Sequence, residues 1–289
     1  MSLAVTGATG LVGRFFVEEA LARGEPVTVL GRTPPPPGFF SAPVAFRPYA
    51  LGDRPDLAGH QAVIHCAFAH LPGRYRGGEG DDPAGFARRN LDGSIALFEA
   101  ARASGARQLL FLSSRAIYGG YPPGTLLRED MAPRPDTLYG VVKARAEATL
   151  FGLAAPGFAP VSLRATGIYG PPGPGQRHKW ADLFEAFRAG RPIAPRRGTE
   201  LHGEDLAAAA RLIRQSPAEI TAGRAFNLSD ILLDRRDLLA LLAEAEHLST
   251  PLPAESHATI SAMSTDRLRS LGWRPGGWER LRATLPLLR

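Results

Sequence analysis

A glycine-rich turn near the start of the chain restricts the fold more than any other feature. The apolar run at 3–5 is followed by TGATGLVG at 6–13, within which a helical pattern begins. Glycines at three-residue spacing let the backbone turn tightly, approach a ligand with its amides and place the helix close to the strand. The N–H groups and the positive dipole end of the helix then favour phosphate. We therefore predict a turn that binds a dinucleotide pyrophosphate, with a merely tight strand-to-helix turn as the alternative. The residues expected to contact the dinucleotide are Gly7, Ala8, Thr9, Gly10, Leu11, Val12 and Gly13.

Short apolar runs alternate with helical patterns along the first two thirds of the chain. Strands are predicted at 3–5, 27–30, 44–46, 62–66, 108–112 and 161–163. Helices are predicted at 11–23, 86–103 and 138–153, and later at 180–189, 205–215, 234–247 and 278–288. Continuous apolar strands separated by helices indicate an α/β fold with a doubly wound parallel sheet of the Rossmann type. We assign 1–170 to the dinucleotide-binding domain, with returning elements at about 200–230, and 171–289 mainly to a small, interleaved C-terminal substrate-binding cap.

The basic residues are almost all arginine. Of 34 Lys and Arg residues only Lys143 and Lys179 are lysines, and the arginines are scattered without a block of like charges. The formal charge of +6 therefore indicates a compositional bias, and no nucleic-acid partner is expected. The chain has no run of about 18 apolar residues, so no membrane span is expected, nor is a leader peptide. A single cysteine, Cys66, cannot form an internal disulfide, and we expect a cytoplasmic protein.

The end of the second predicted strand indicates which dinucleotide binds. A carboxylate at this position prefers a free ribose 2′-hydroxyl, whereas an arginine suits a 2′-phosphate. The sequence reads Gly31-Arg32 and offers no carboxylate. We predict a preference for NADP over NAD, with Arg32 on the 2′-phosphate and Arg14 as a second partner. In a chain this rich in arginine, an accidental surface position is the alternative for both residues.

A tyrosine and a lysine lie four residues apart at the start of the helix predicted at 138–153. Tyr139 and Lys143 therefore share one helical face. A nearby ammonium favours the phenolate form of a tyrosine, which can then exchange a proton near neutral pH. The strand at 108–112 delivers Ser113 and Ser114 at its carboxyl end, the edge where open α/β sheets bind ligands. A serine hydroxyl there can hydrogen-bond a substrate oxygen beside the phenol.

Together these motifs resemble the extended short-chain dehydrogenase/reductase family, the NAD(P)-dependent epimerase/dehydratase group. The resemblance covers nearly the whole chain. It rests on TGATGLVG at 6–13, AVIHCA at 62–67, NLDG at 90–93, LSSRAIYG at 112–119, YGVVK at 139–143, LRATGIYGP at 163–171, LHGEDL at 201–206, FNL at 226–228 and LGWRP at 271–275. It implies a nicotinamide cofactor and a homodimer whose interface involves the helices of Asn90 and Tyr139.

The resemblance also implies roles for single residues. Tyr139 would be the catalytic acid/base, Lys143 would tune it and hold the nicotinamide ribose, and Ser114 would polarise the substrate. Asn90 would support the cofactor site from its helix, and the family's adenine-contacting aspartate has a counterpart only in Asp53. The residues expected to line the cofactor near the nicotinamide are Ala67, Thr166 and Ile168.

Three departures from the family pattern bear on the reaction. Sugar 4,6-dehydratases of the family follow the catalytic Ser or Thr with Asp-Glu, whereas this chain has Arg115-Ala116, so dehydratase chemistry is not expected. NAD-dependent sugar 4-epimerases usually carry an aspartate where this chain has Gly31-Arg32, which favours a reductase of ketones or aldehydes. The segment at 195–203 is shorter than in enzymes of nucleotide sugars, which weakens the prediction of nucleotide recognition.

We predict an NADP-preferring oxidoreductase that transfers hydride between the nicotinamide and a carbonyl or carbinol carbon of a small molecule. The alternatives are a nucleotide-sugar epimerase with the same residues and a non-catalytic NADP-binding sensor. Further substrate contacts are expected from Ser113, Arg115, His178 and Arg197. No metal site is expected, because His65-Cys66 is interpreted as a packed pair and Glu204-Asp205 as a helix start. The charged loop at 74–82 is interpreted as a substrate lid or as a solvated excursion.

Overall fold

A seven-stranded parallel sheet forms the centre of the molecule. The computed structural model describes residues 2–71 and 78–288. The strands are β1 (Leu3–Thr6), β2 (Val27–Gly31), β3 (Ala45–Pro48), β4 (Ala62–His65), β5 (Gln108–Ser114), β6 (Ala159–Ala165), β7 (Gly167–Tyr169), β8 (Arg197–His202), β9 (Arg224–Leu228) and β10 (Ile231–Asp234). The central sheet has the order β3-β2-β1-β4-β5-β6-β9, with every neighbouring pair parallel. The winding reverses between β1 and β4, which confirms the doubly wound sheet predicted from the sequence.

Helices connect these strands and cover both faces of the sheet. They are α1 (Leu11–Leu21), α2 (Pro83–Ala87), α3 (Gly93–Ala103), α4 (Leu138–Gly152), α5 (Ala181–Arg188), α6 (Gly203–Gln215), α7 (Ala218–Thr221), α8 (Arg235–Glu246), α9 (Asp266–Arg269) and α10 (Gly277–Thr284). A π-helical segment occupies Arg88–Asp92, and 3₁₀ helices occupy Arg115–Tyr118 and Leu285–Leu287. Within the described ranges, none of the helices has the length and apolar character needed to cross a membrane.

Two apolar layers hold the sheet between its helices. In β1, Leu3 and Val5 pack into the layer formed with α1 and α6, whereas Ala4 packs into the layer formed with α3 and α4. Successive side chains of a strand point to opposite faces, so both faces of β1 are buried. This is why the strand is apolar at every position rather than at alternate ones.

A second, smaller sheet of order β10-β8-β7 belongs to the C-terminal half. Together with α5, α8 and α10 it encloses a separate apolar cluster that contains Trp180, Phe184 and Leu281. Between β8 and β10 the chain returns to the central sheet as α6 and β9. Further on, Trp273 packs into the central core, where its indole N–H donates to the carbonyl of Asp205 at 2.9 Å. The central sheet and the smaller sheet with its apolar cluster are thus built from alternating stretches of chain.

Most helices match their predicted bounds to within two residues, and two differ by more. The helix predicted at 86–103 is interrupted at Arg88–Asp92, where the backbone widens into π geometry. Inside this segment the side-chain amide of Asn90 donates to the backbone carbonyl of Phe86 at 3.0 Å, so a side chain takes part in the hydrogen bonding of the helix. The helix predicted at 278–288 ends at Thr284 and continues as a 3₁₀ turn. Pro286 lacks the N–H group that would extend it.

Candidate active site

The turn between β1 and α1 accepts only glycine at two of its positions. Gly7 has a φ of +64°, and a Cβ atom there would lie 2.8 Å from the amide nitrogen of Ala67. A Cβ atom on Gly13 would lie 2.2 Å from the carbonyl oxygen of Gly7. The absence of side chains therefore brings the turn against the end of β4 and α1 against the turn. These close approaches fit the backbone cradle that a dinucleotide pyrophosphate requires.

Hydrogen-bond donors are free at the same place. The cap residue Gly10 has no side chain, and the first amide of α1 with a helical partner is that of Arg14, which donates to Gly10 at 3.2 Å. In the described part of the chain, the amides of Leu11, Val12 and Gly13 have no acceptor. Unpaired amides at the positive end of a helix dipole bind anions, so the residues present fit a phosphate group.

A line of buried hydroxyl and imidazole groups fastens β1 to β4 beneath the turn. The Thr6 hydroxyl accepts from the amide of Ala67 at 3.1 Å and lies 2.7 Å from Nδ1 of His65. Nε2 of His65 lies 3.1 Å from the Ser94 hydroxyl. Burial, with the charge of Lys143 as a smaller cause, lowers the pKa of His65 to about 3. The imidazole is therefore neutral, which supports the interpretation of His65-Cys66 as a packed pair.

Ser114 and Tyr139 are brought together by two elements that touch. The Ser114 hydroxyl accepts from the amide of Ala116 at 3.1 Å and caps the 3₁₀ helix Arg115–Tyr118. A Cβ atom on Gly140 would lie 2.5 Å from the carbonyl oxygen of Ala116, so this 3₁₀ helix packs directly on the first turn of α4. Tyr139 lies in that turn and remains half-buried. The structure therefore places the predicted serine and tyrosine on adjoining turns at the carboxyl edge of the sheet.

Lys143 lies one helical turn below Tyr139 and is buried, with 3% of its surface exposed. Its ammonium donates to the carbonyl of Leu112 at 2.7 Å and lies 4.2 Å and 4.6 Å from the ring centres of Phe68 and Phe111. The ring centre of Tyr139 is 5.7 Å away. None of the described carboxylates forms an ion pair with it, and burial lowers its pKa to about 7. A buried cation held only by a carbonyl and aromatic faces stabilises a negative charge placed beside it.

The buried ammonium predicts how stability depends on pH. The pKa of Lys143 falls from its ordinary 10.5 to about 7 on folding, so the unfolded chain keeps its proton to higher pH than the folded protein does. The cost of burying the charge is complete below pH 7 and decreases between pH 7 and about 10. We expect Lys143→Met to raise the Tm of the cofactor-free protein at pH 6, with a smaller gain at pH 9.

Circular dichroism melting at both pH values measures this, and the second lysine provides the control. Lys179 forms an ion pair with Glu200. Lys179→Met should therefore lower the Tm, because it leaves that carboxylate without its partner. A lower Tm for Lys143→Met at pH 6 would contradict the prediction.

Asn90 holds the segment that follows β4. Its buried side-chain amide accepts from the amide of Ala69 at 2.7 Å and donates to the carbonyls of Ala69 at 2.8 Å and Phe86 at 3.0 Å. Because these bonds occupy its polar atoms, the geometry favours support of the segment over direct contact with a cofactor. Ala67, at the start of that segment, is half-buried beside the glycine-rich turn.

The other expected cofactor residues occupy different settings. The Thr166 hydroxyl donates to the carbonyl of Thr199 at 2.7 Å, which ties the end of β6 to β8. Ile168 is buried in β7. Asp53 accepts from the amide of Ala50 at 2.6 Å and closes the turn after β3, so its carboxylate has a structural partner.

Arg32 follows β2 directly and is exposed. Because β2 pairs in parallel with β1, Arg32 emerges at the sheet edge that also carries the glycine-rich turn. In residues 2–71 and 78–288, no carboxylate lies within ion-pair distance of it. Arg14 is only half-buried, and its Nε lies 3.8 Å from the Glu18 carboxylate on the same helix.

The four expected substrate residues do not form one group. Ser113 is buried on the strand face opposite to Ser114, whereas Arg115 begins the 3₁₀ helix after it. His178 is buried in the cap, where its Nδ1 accepts from the amide of Trp180 at 3.3 Å. Arg197 starts β8. Of the loop interpreted as a lid, residues 74–77 lie outside the described residues.

A buried polar network behind the site is absent from the sequence predictions. The Arg164 guanidinium on β6 donates through Nε to both carboxylate oxygens of Glu147 on α4 at 3.1 Å. It also donates to the hydroxyl of Tyr118, which in turn donates to the side-chain oxygen of Asn227 at 3.0 Å. Glu147 lies four residues after Lys143, and Tyr118 lies four residues after Ser114. The network therefore holds α4 and the 3₁₀ helix after Ser114 in one register. In the sequence, only these i+4 spacings indicate it.

Gln176 is a second residue that sequence reasoning did not find. Its side-chain amide donates to the carbonyl of Thr9 at 2.6 Å and accepts from the amide of Gly173 at 3.2 Å. The loop after β7 is thereby fastened to the glycine-rich turn. A single glutamine in a proline- and glycine-rich loop carries no pattern that predicts this contact.

Comparison with known protein families agrees with this geometry. The profile of the NAD dependent epimerase/dehydratase family matches residues 3–229. The chain belongs to this family. The resemblance inferred from the motifs is therefore confirmed, and it extends from the first strand through β9.

This chain spans about half the length of the curated relatives that it matches. UDP-glucose 4-epimerase from Corynebacterium glutamicum is 30% identical over 181 residues, which cover 59% of this chain and 53% of the epimerase. D-erythronate dehydrogenase from Cupriavidus necator is 34% identical over 173 residues, which cover 55% of this chain and 52% of the dehydrogenase.

Solved structures match this chain over nearly the full length of both chains. The Thermus thermophilus UDP-glucose 4-epimerase complex with NAD has 28% identity, a TM-score of 0.78 and coverage of 100% of this chain and 99% of the epimerase. MoeE5 in complex with UDP-glucose and NAD has 25% identity, a TM-score of 0.80 and coverage of 99% of this chain and 98% of MoeE5.

Proposed function

We propose that the protein is an NAD(P)-dependent oxidoreductase of the extended short-chain type, with Ser114, Tyr139 and Lys143 as its catalytic set. The observation that carries the proposal is the contact between the 3₁₀ helix after Ser114 and the first turn of α4, with the buried ammonium of Lys143 one turn below. A bound nicotinamide dinucleotide would supply or accept the hydride at a carbonyl or carbinol carbon.

The three side chains divide the remaining work. Tyr139 gives a proton to the substrate oxygen in reduction and takes it in oxidation. Lys143 favours the phenolate of Tyr139, because its charge is buried and meets no described carboxylate. Ser114 stands on the adjoining turn, where its hydroxyl can donate to the same substrate oxygen. The sheet edge brings this set and the glycine-rich turn to one side of the molecule.

We further propose that NADP is preferred over NAD, with Arg32 as the residue that decides it. The solved relatives named above are complexes with NAD, so this preference would set the chain apart from them. Arg32→Ala should weaken NADP binding about 10- to 100-fold, because it removes charge-assisted hydrogen bonds to the 2′-phosphate. The affinity for NAD should change little.

Fluorescence titration of both dinucleotides measures this effect. Arg14→Ala is the matched control and should have a smaller effect, since Arg14 lies 3.8 Å from its Glu18 partner. Tighter binding of NAD than of NADP by the unaltered protein would refute the role of Arg32.

The substrate we propose is a small hydroxy or carbonyl compound that undergoes net redox. This choice is supported by a relative of 34% identity, which is a D-erythronate dehydrogenase. The second candidate is epimerisation of a nucleotide sugar, supported by the UDP-glucose bound to MoeE5. Loss of NADPH absorbance against a panel of carbonyl compounds supports net redox, whereas tightly retained dinucleotide without net consumption supports the epimerase.

We also propose a homodimer located in the cytoplasm. The family resemblance supports an interface formed by α3 and α4, and Ile95 and Val141 on these helices remain half-exposed. The single Cys66 is compatible with a reducing compartment. Light scattering coupled to size-exclusion chromatography measures the oligomeric state, and a mass of 30.9 kDa would identify a monomer.

A further inference from the structure

Arg115 occupies an unusual position beside the catalytic set. It follows Ser114 directly and begins the 3₁₀ helix that packs on the first turn of α4. The side chain is partly buried, and its Nε is shielded from solvent and has no hydrogen-bond partner in the part of the chain that the structure describes. A permanently charged group is therefore partly withdrawn from water within one residue of the serine that would bind the reacting oxygen.

Among residues 2–71 and 78–288, no carboxylate lies within ion-pair distance of the guanidinium. Its one hydrogen bond among the described residues runs from Nη2 to the carbonyl of Ser261 at 2.8 Å. Asp136 acts on it from beyond ion-pair distance, and burial lowers the pKa of Arg115 without removing its charge. By contrast, the buried guanidinium of Arg164 is paired with Glu147, and the half-buried guanidinium of Arg214 is paired with Glu25.

Withdrawing an unpaired cation from water costs free energy unless an anion joins it. A guanidinium offers parallel N–H donors that match a carboxylate or a phosphate. We propose that Arg115 recognises an anionic group of the substrate, a carboxylate or a phosphate carried close to the carbon at which hydride is transferred. This assignment rests on the proposed function, since it takes Ser114 as the residue that binds the reacting oxygen. Sugar acids and sugar phosphates are the compounds that combine such groups.

The test compares sugars that share a ring and differ at carbon 6, which is a carboxylate, a phosphate ester or a neutral hydroxymethyl group. The protein is loaded with NADP, and the rise in Tm is measured with D-glucuronate, D-glucose 6-phosphate and D-glucose, and with the matching galactose series. We expect an anionic member to bind about 10- to 100-fold more tightly than its neutral counterpart. The carboxylate and phosphate series show which anion is preferred.

Variants then assign the preference to Arg115. Arg115→Met should abolish the preference for anions, while Arg115→Lys should retain part of it. The Tm of Arg115→Met without ligand should stay level or rise, because an unpaired charge is removed. Arg267 is the control, because it is half-buried and donates to the carbonyl of Ala225 at 2.7 Å. Arg267→Met should keep the preference for anions.

Two results would overturn the proposal: equal binding of anionic and neutral sugars by the unaltered protein, or an undiminished preference in Arg115→Met. A fall in Tm for Arg115→Met with the preference intact would identify Arg115 as a structural link to Ser261 instead. The proposed function fails separately. Anion binding through Arg115 without any turnover would overturn the proposed oxidoreductase activity but keep the anion site. Tyr139-dependent turnover of acids and neutral sugars at equal rates would overturn the anion site but keep the oxidoreductase activity.

Discussion

Tyr139→Phe will abolish measurable turnover, a loss of about 10²- to 10⁴-fold, while NADP affinity stays nearly unchanged. The substitution removes only the phenolic oxygen, and the ring keeps its edge-to-face contact with Phe68 at 5.1 Å between ring centres. The glycine-rich turn, which would hold the phosphates, lies on different elements and is left intact. Steady-state rates with the best carbonyl substrate and fluorescence titration of NADP measure the two quantities.

A second tyrosine offers the matched control for this experiment. The hydroxyl of Tyr121 donates to the carbonyl of Ala132 at 2.8 Å. Tyr121→Phe should therefore leave turnover within about twofold of the unaltered protein. Unchanged activity of Tyr139→Phe would eliminate the proposed mechanism, because the phenol of Tyr139 would then not be the proton donor.

Arg164→Met will lower the free energy of unfolding by about 3–5 kcal/mol. Arg164 and Glu147 are 4% and 3% exposed, so their charges are almost completely removed from water. Removing the guanidinium leaves the Glu147 carboxylate buried with only the Ser162 hydroxyl, at 2.6 Å, as its hydrogen-bond partner among the described residues. Urea unfolding followed by circular dichroism measures the change.

The double variant Arg164→Met/Glu147→Leu distinguishes the cost of an unpaired buried charge from the cost of altered side-chain packing. It removes both charges together and should recover most of the stability, since well-packed apolar side chains often replace a buried pair at little cost. Its turnover should remain low even where it folds, because α4 and the turn after Ser114 lose their common anchor. Equal instability of the single and double variants would contradict this account.

The local parts of the site were predictable from the sequence. The glycine-rich turn depends on contacts within 6–13 and with the neighbouring strand, so its spacing alone indicates the geometry. Tyr139 and Lys143 share a face because a helix repeats every 3.6 residues. Ser114 lies at the carboxyl edge because β5 carries it there. In each case the physical cause acts over a few residues.

Other features depend on residues far apart in the chain. Thr6 and His65 are 59 positions apart, and Tyr118 and Asn227 are 109 apart. No periodicity records such pairs, because they form only when separate strands align in the sheet. The π segment at Asn90 likewise depends on the backbone of Ala69, 21 residues away. Asp53, which the family resemblance suggests as the adenine contact, accepts from the amide of Ala50 three residues away, a local contact that the sequence pattern did not predict.

The sequence by itself determined the family, the doubly wound sheet and the order of the elements that carry the site. Short-range patterns of apolar residues, glycines and motif spacings encode these properties. None of these patterns depends on contacts between distant residues. Only the tertiary structure decided which charged groups are paired. Lys143 is buried and Arg115 is partly buried without a described carboxylate as ion-pair partner, whereas Arg164 has Glu147. Burial and the choice of partner depend on distant residues brought together by packing, and these two properties set the chemistry of a site.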